Sequence, residues 1–470
     1  MSRLKFLKLE NDARAIIFVL IIALLVLLGP HIMNYIFDAG LGSETSYYSR
    51  LGKNVLSGDL FDGLTDRVIS PYGLPFVIAL FGLVIPLKIA SVLLGVLLGV
   101  ILGLLSVYLF FIILRKFKVS LVLRIVSCVV LVLSPPFLYL FYGFNKYAFP
   151  IVLSLLAFYF FINERRNLFI LSFASVGLFS FGILFLNLFL FFIYTLLIKR
   201  KEFRFFLRVL LISLFAFLIS YIPIFWKFGL PEIFILDGFF RNFISDLGGK
   251  FGLGIFGVLI GATGLVFSWK DKKNYVLFYI SFFVLLLLAI RFSAVIFYFN
   301  FLLSFLIAIA FIFLIKRKWE SKTIKNLMLI VMICGLLFSS LSYMNRIANI
   351  PNKEFVDGLD FLDGKGMVFS SYENGFWITS RENKVVMDEI FWHTKDVGER
   401  WRDSEKLFKG SNLENSLEII DRYDIEYIFI DNKMKTEIWD NKKDGLLFLL
   451  DSGRFEKVFD NNVVEIWKVR

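Results

Sequence analysis

Apolar runs of membrane-spanning length recur along this chain, and short basic clusters separate them. The first run, Ala15–Leu28, follows Arg3, Lys5, Lys8 and Arg14 and continues through Ile32, Met33, Tyr35, Ile36 and Phe37. Its length and the lack of a clean small-residue cleavage site predict a retained first transmembrane helix rather than a signal peptide. Basic clusters follow at Arg115–Lys118, Arg165–Arg166, Lys199–Arg204, Lys270–Lys273 and Lys316–Lys325. Lys and Arg concentrate in cytoplasmic loops, so each intervening stretch is expected to go out and return. The turns fall at Ser134-Pro135-Pro136 through Lys146, near Phe181-Gly182, through the polar loop 227–250, and at Arg291. With the first helix, a span near 88–114 and a last one near 326–345, the pattern predicts about eleven crossings. The N-terminus is then cytoplasmic and residues 351–470 lie outside. About 21 Lys/Arg fall on the inner face and about nine on the outer loops, which supports that orientation.

The first outer loop, 38–87, is the longest. Its segment Leu74–Val84 is too short to span and is followed by Pro86, which reads as a re-entrant or interfacial helix. Beyond residue 350 the pattern changes. Gly366–Phe369, Lys384–Met387, Ile425–Ile430, Phe455–Phe459 and Val463–Val469 read as strands, the last two joined by a tight turn at Asp460-Asn461-Asn462. Leu413–Tyr423 has helical spacing with Asn412 as its N-cap. The expected fold is a polytopic α-helical membrane domain, 1–350, followed by a small extracytoplasmic α/β domain, 351–470.

Composition agrees. Of 470 residues 58% are hydrophobic, 59 are Phe, and the mean hydropathy is +0.76. The net charge of +12 suggests nucleic acid at first sight, but a basic water-facing surface is needed for that. Residues 351–470 carry 18 Lys/Arg against 25 Asp/Glu, whereas residues 1–350 carry 33 against 14. The basic excess therefore belongs to the membrane part, and no nucleic-acid partner is implied. The acidic C-terminal surface is repelled by anionic headgroups and is expected to project from the bilayer. His31 and His393 are the only histidines, and Cys128 and Cys334 lie in apolar spans. Histidine-built metal sites and disulfide frameworks are excluded.

No Asp or Glu falls inside the assigned spans. Ion-coupled transporters place titratable groups at the midplane, so the pattern favours chemistry at the outer surface. Arg124 and Arg208, about one turn in, are expected to snorkel to the cytoplasmic interface.

The first outer loop carries a resemblance. Asp38-Ala39-Gly40-Leu41-Gly42-Ser43-Glu44-Thr45-Ser46-Tyr47-Tyr48-Ser49-Arg50-Leu51 leads to Leu56-Ser57-Gly58-Asp59, and then to Ser70-Pro71-Tyr72-Gly73-Leu74-Pro75. This order resembles the first outer loop of membrane-embedded GT-C glycosyltransferases: oligosaccharyltransferase catalytic subunits, protein O-mannosyltransferases and lipid A aminoarabinose transferases. The resemblance implies a sugar donor linked to polyprenyl (dolichyl) phosphate and an acceptor protein, lipid or glycan outside the cytoplasm. It also implies a first-loop acid that binds or deprotonates the acceptor. Glu44 is the match, with Asp38 in reserve; a solvated loop acid is the alternative for Glu44.

A leaving phosphate needs cationic stabilisation. Arg291, at the tip of a hydrophobic hairpin, resembles the lipid-phosphate arginine of oligosaccharyltransferases; an interfacial anchor is its alternative. Lys146 stands in the second outer loop, where many relatives carry an acidic metal-binding motif. A lysine cannot ligate a cation, so dependence on a divalent metal is left open and Lys146 is a second candidate for phosphate. Tyr47, Tyr48 and Tyr72 are candidates to line the sugar and lipid path, with aromatic-belt anchoring as the alternative. Ser370-Ser371-Tyr372-Glu373-Asn374-Gly375 resembles the oligosaccharyltransferase Trp-Trp-Asp-x-Gly signature in position and in its aromatic-acid-x-Gly shape. Both tryptophans are absent and Glu373 replaces Asp, so sequon reading is not implied. Arg241, Asp246 and Lys250 are weaker candidates for which solvated surface is the preferred reading, and the trio Phe391-Trp392-His393 could stack on a sugar ring, with domain-core packing preferred. Two readings from other classes stand beside this one: a lipid-linked glycan flippase, and a non-catalytic scaffold or glycan-binding protein.

Overall fold

A computed structural model describes residues 2–35, 43–65, 67–69, 71–85, 94–143, 145–197, 202–229, 243–249, 252–269, 272–292, 294–348, 351–390, 396–439 and 445–470. In chain order the elements are α1 (Ser2–Tyr35), α2 (Ser43–Leu56), β1 (Phe61–Asp62), β2 (Arg67–Val68), α3 (Gly73–Gly82), α4 (Gly99–Lys116), α5 (Leu121–Val132) and α6 (Pro135–Tyr142). Then come α7 (Ala148–Ile162), α8 (Arg166–Ser175), α9 (Phe181–Leu197), α10 (Phe203–Phe228), α11 (Ile255–Ser268), α12 (Lys272–Arg291), α13 (Val295–Lys316) and α14 (Lys322–Ala348). The C-terminal part holds α15 (Lys353–Leu362), β3 (Met367–Phe369), α16 (Gly375–Thr379), β4 (Lys384–Val385), α17 (Val397–Lys409) and α18 (Leu413–Arg422). It closes with β5 (Tyr427–Asp431), α19 (Asn432–Glu437), α20 (Gly445–Leu450), β6 (Phe455–Asp460) and β7 (Val464–Val469).

The chain divides into two compact units. One comprises 1–36, 93–218 and 236–349; the other comprises 37–92, 219–235 and 350–470. Residues 37–92 thus group with the C-terminal residues, which a boundary at 350 alone does not express.

The first unit is helical. Among the described residues five helices are long and apolar enough to cross a membrane: Asn11–Ile32, Gly95–Lys116, Phe203–Lys227, Val295–Lys316 and Lys322–Ile347. The pair α5 and α6, bent by 64°, makes a sixth if it is one broken span. The bend follows from Ser134-Pro135-Pro136, since proline cannot continue a helix but starts one well. Shorter apolar helical stretches lie at 148–162, 166–178, 181–196 and 255–268, and at 279–289 within α12. Helices therefore lie in all the stretches read as crossings; by length and composition alone five of them qualify as spans among the described residues, or six with the bent pair. In α13 78% of the span is buried, against 28% in α1, so α13 is the central helix.

Apolar helices in lipid gain nothing by hiding from one another; they associate by close packing and interhelical hydrogen bonds. Both occur. Gly257, Gly261 and Gly264 of α11 face Leu303, Leu306 and Ile307 of α13. Phenylalanines fill the remaining gaps, as where Phe169 lies 5.2 Å from both Phe173 and Phe191. Polar bonds are few and internal. The Tyr298 hydroxyl reaches Ser154 Oγ at 2.8 Å and Asn187 Oδ1 at 2.9 Å, and Asn187 Nδ2 donates to Ser154 Oγ at 2.7 Å. Asn300 Nδ2 donates to Ser134 Oγ at 2.7 Å.

Arg124 departs from expectation. It is buried, not snorkelled: its guanidinium donates to Asp12 Oδ1 at 2.8 Å and lies 4.7 Å from the Phe111 ring centroid. Asp12, near the start of the first span, supplies the counter-charge that makes burial tolerable. Arg208 is exposed. Cys128 is buried, whereas Cys334 is exposed on α14.

The second unit is built on a five-stranded sheet of order β4-β3-β5-β7-β6. β4, β3 and β5 run parallel; β5–β7 and β7–β6 are antiparallel. The parallel step from β3 to β5 requires a crossover, and residues 375–422 supply it. Central β5 is buried on both faces, as its unbroken apolar run Tyr427-Ile428-Phe429-Ile430 demands. Ile428 and Ile430 pack with Leu407, Ile420 and Leu446, while Phe429 packs with Phe355, Leu359 and Ile466. Asn412 Oδ1 caps α18, accepting from the Glu414 and Asn415 amides.

Candidate functional site

The helix bearing Glu44 begins at Ser43 and has Glu44 in its first turn, where a carboxylate is favoured by the helix dipole. Glu44, Tyr47, Tyr48 and Leu51 are buried, the i, i+3, i+4, i+7 stripe of a helix packed on one side. Gly52 lets α3 approach: a Cβ there would sit 2.7 Å from Ile78 Cγ2. Glu44 is thus an enclosed carboxylate and not a solvated loop acid.

Further along α2 the buried side chains meet aromatic and charged groups. Tyr47 stacks on Phe376 of α16, centroids 4.2 Å apart and rings 16° from parallel, and meets Tyr48 edge-on at 5.3 Å. The Arg50 guanidinium lies 5.5 Å from the Tyr47 ring and holds Asp62 by a two-pronged contact of 2.5 and 2.8 Å. Thr65 Oγ1 and the Leu64 amide also donate to Asp62. Arg67 of β2 donates to Asp388 Oδ1 at 2.8 Å, with both side chains buried. Burial works against each of these charges, yet the partners prevail. Asp62 titrates below the usual carboxylate range because Arg50 and Thr65 stabilise its anion. Arg50 and Arg67 hold their protons more tightly than a free arginine, through Asp62 and Asp388 above all. Burial pushes the Tyr47 phenol upward, so it stays protonated.

Glu373 stands in the turn Tyr372–Asn374 between β3 and α16, where its carboxylate pairs with Lys433. Next to it Asn374, buried, donates to Asp431 Oδ2 at 2.8 Å. Gly375 has no room for a side chain, since a Cβ would lie 2.4 Å from Asp388 Cβ.

No protein-family profile and no curated protein sequence matches the chain. Solved structures do. The oligosaccharyltransferase of Archaeoglobus fulgidus in its apo form superposes with a TM-score of 0.60 at 12% identity, over 89% of this chain and 70% of that one. ArnT from Cupriavidus metallidurans, bound to undecaprenyl phosphate, gives 0.57 at 11% identity over 96% and 97% of the two chains. The chain has the GT-C fold. At such identities the likeness is one of architecture. The A. fulgidus enzyme AglB has also been seen with an inhibitory peptide and a dolichol-phosphate; it gives 0.51 at 13% identity, over 89% and 70%.

The sequence candidates stand on several elements of this fold. Glu44, Tyr47 and Tyr48 share one helix, and Tyr47 reaches the α16 end of the segment that holds Glu373. Tyr72, half-buried, meets Phe76 edge-on at 5.7 Å. Lys146 lies 5.3 Å from the Tyr147 ring. Arg291 is the last residue of α12, which puts it at a helix end as expected, but its side chain is outside the described residues. Asp38, Arg241, Lys250 and the trio at 391–393 also fall outside them. Asp246 is not free surface: its Oδ2 accepts from the Ile255 amide at 2.6 Å and from Ser339 at 3.0 Å.

Among the described residues no group of three His, Cys, Asp or Glu side chains comes together. Asp62 and Asp388 are already neutralised by arginines. Asp62, Arg67 and Asp388 are the residues that reading along the chain missed. Nothing marks Arg67 and Asp388 as partners across 321 positions. Asp62, by contrast, stands in Asp62-Gly63-Leu64-Thr65, a turn signature that places a carboxylate to accept local donors.

Proposed function

We propose that this protein is an integral-membrane GT-C glycosyltransferase that moves a sugar from a polyprenyl-phosphate carrier to an acceptor outside the cytoplasm. The observation that carries the reading is the enclosed carboxylate of Glu44, opening the helix after α1 in a fold shared with an oligosaccharyltransferase and ArnT. In the proposed reaction an acceptor hydroxyl or amide attacks the anomeric carbon. The bond from that carbon to the phosphate oxygen breaks with inversion through an oxocarbenium-like state. The acceptor proton passes to Glu44, and the leaving phosphate keeps the bonding pair. Arg291 and Lys146 are proposed to meet that phosphate, and Tyr47, Tyr48, Tyr72 and Glu373 to line the substrate path. Asp38 is the reserve base. The protein is read as multi-pass with about eleven crossings, a cytoplasmic N-terminus and residues 351–470 outside.

Lys146, in place of an acidic second-loop motif, favours a second reading: a scaffold or glycan-binding protein without catalysis. The experiment that separates them supplies purified protein with radiolabelled polyprenyl-phosphate sugar and pools of peptide, lipid and glycan acceptors. Label should move to one pool, and Arg291→Ala should slow that movement. Binding without transfer would favour the scaffold. Movement of the donor across a vesicle bilayer without transfer would favour a flippase.

A further inference from the structure

We propose that the buried Arg67–Asp388 ion pair and the Tyr47–Phe376 stack form a latch by which the C-terminal residues hold the Glu44 helix in its working position. The proposal rests on the reading of Glu44 as the acceptor's base. Two routes converge on α2. In the first, Asp388 grips Arg67 on β2, β2 pairs with β1, and Asp62 at the end of β1 grips Arg50 on α2. In the second, Phe376 of α16 lies flat against Tyr47, one helical turn from Glu44.

Both routes start from one rigid wall. Asp388 and α16 touch so closely at Gly375 that a Cβ would lie 2.4 Å from Asp388 Cβ. Asp388 is itself fixed, because Oδ1 accepts from the Ile390 amide at 2.7 Å as well as from Arg67. Its Oδ2 is buried with no hydrogen-bond partner. A carboxylate arranged that way is a poor device for stability, since burying a charge with half its acceptors unused is costly. It is a good device for position, because the remaining attraction points one way, at Arg67. Arg67 and Asp388 are therefore positioning residues, acting on the reaction through α2.

The test uses the full chain in lipid nanodiscs, with Arg67→Met and the conservative Arg67→Lys. Hydrogen exchange of the amides of 43–56 should quicken at least about tenfold in Arg67→Met, while β5 and β7 stay protected. In the transfer assay kcat should fall about 100-fold, the scale of a small misplacement of a reacting group, with KM for the donor within about threefold. Arg67→Lys, which keeps a charge facing Asp388, should restore most of both. Unchanged exchange in 43–56 would overturn the latch; so would equal loosening of β5 and β7, which would mean a pair that merely holds the fold. Exchange decides this without any activity, whereas failure of the Glu44 reading would show separately, as undiminished transfer by Glu44→Gln.

Discussion

The tightest glycine contact among the described residues of the helical unit gives a graded test of how it is held together. At Gly264 of α11 an added Cβ would lie 2.0 Å from the Leu306 carbonyl oxygen and 2.7 Å from its carbon, both backbone atoms that cannot rotate away. Ordinary carbon–oxygen contacts between helices are about 3.3–3.6 Å, so Gly264→Ala must push α11 and α13 apart by about 1.3 Å. A radial gap of about 0.5–1 Å already forfeits a quarter to a half of the dispersion energy of the atoms concerned. Overpacking of this kind costs about 1–3 kcal/mol, and more where backbone must move.

Gly261 and Gly257 are internal controls on the same face. At Gly261 the obstacle is Leu303 Cδ1 at 2.3 Å, the end of a flexible side chain; at Gly257 the nearest atom is Ile307 Cδ1 at 3.5 Å, an ordinary contact. Alanine also favours a helix over glycine by about 0.8–1.0 kcal/mol. Thermal unfolding in nanodiscs should therefore rank Gly257→Ala at or above the parent protein, Gly261→Ala below it and Gly264→Ala lowest. Equal stability of Gly264→Ala and Gly257→Ala would refute the close helix crossing.

Three further outcomes follow from polar and charged groups. Tyr298→Phe removes the hydroxyl shared with Ser154 and Asn187 and should lower stability by about 0.6–1.7 kcal/mol in lipid, the range of interhelical bonds in membranes; a double-mutant cycle with Asn187→Leu measures the coupling. Acid should weaken the C-terminal unit. Asp62 and Glu465 both titrate below their ordinary values when folded, so the unfolded chain takes up protons first as pH falls. Their contribution is full above about pH 5 and is lost through about pH 4 and below. Asp62→Asn should lower stability at pH 7 by about 3–5 kcal/mol, since Arg50 is left buried and unpaired, and should flatten the acid limb of the stability profile.

Much of this architecture was legible along the chain because its elements are marked locally. Basic clusters mark helix ends, as α13 ends at Lys316, and the turn placed at Arg291 falls at the end of α12. All five strands read from β-branched and aromatic runs lie in the sheet, including the hairpin turning at Asn461-Asn462. Glu44, Tyr47 and Tyr48 were singled out by resemblance alone; that they share the buried face of one helix is visible only in the fold. What could not be read is what depends on contact between distant segments. The Arg124–Asp12 and Arg67–Asp388 pairs are set by tertiary packing across 112 and 321 positions, and hydropathy carries no trace of who meets whom. The same holds for the burial of α2, which meets α3 at Gly52 and α16 at Tyr47. Charged side chains enter an interior only with a partner, and the partner is visible only in the fold.

The central claim is that Glu44 takes the acceptor's proton, and the most direct measurement is the rate of sugar transfer by Glu44→Gln at saturating donor. Glutamine keeps the shape and removes the base, so transfer should fall about 10²- to 10⁴-fold, the usual share of general-base catalysis, with donor binding intact. Transfer at the parent rate would contradict the account.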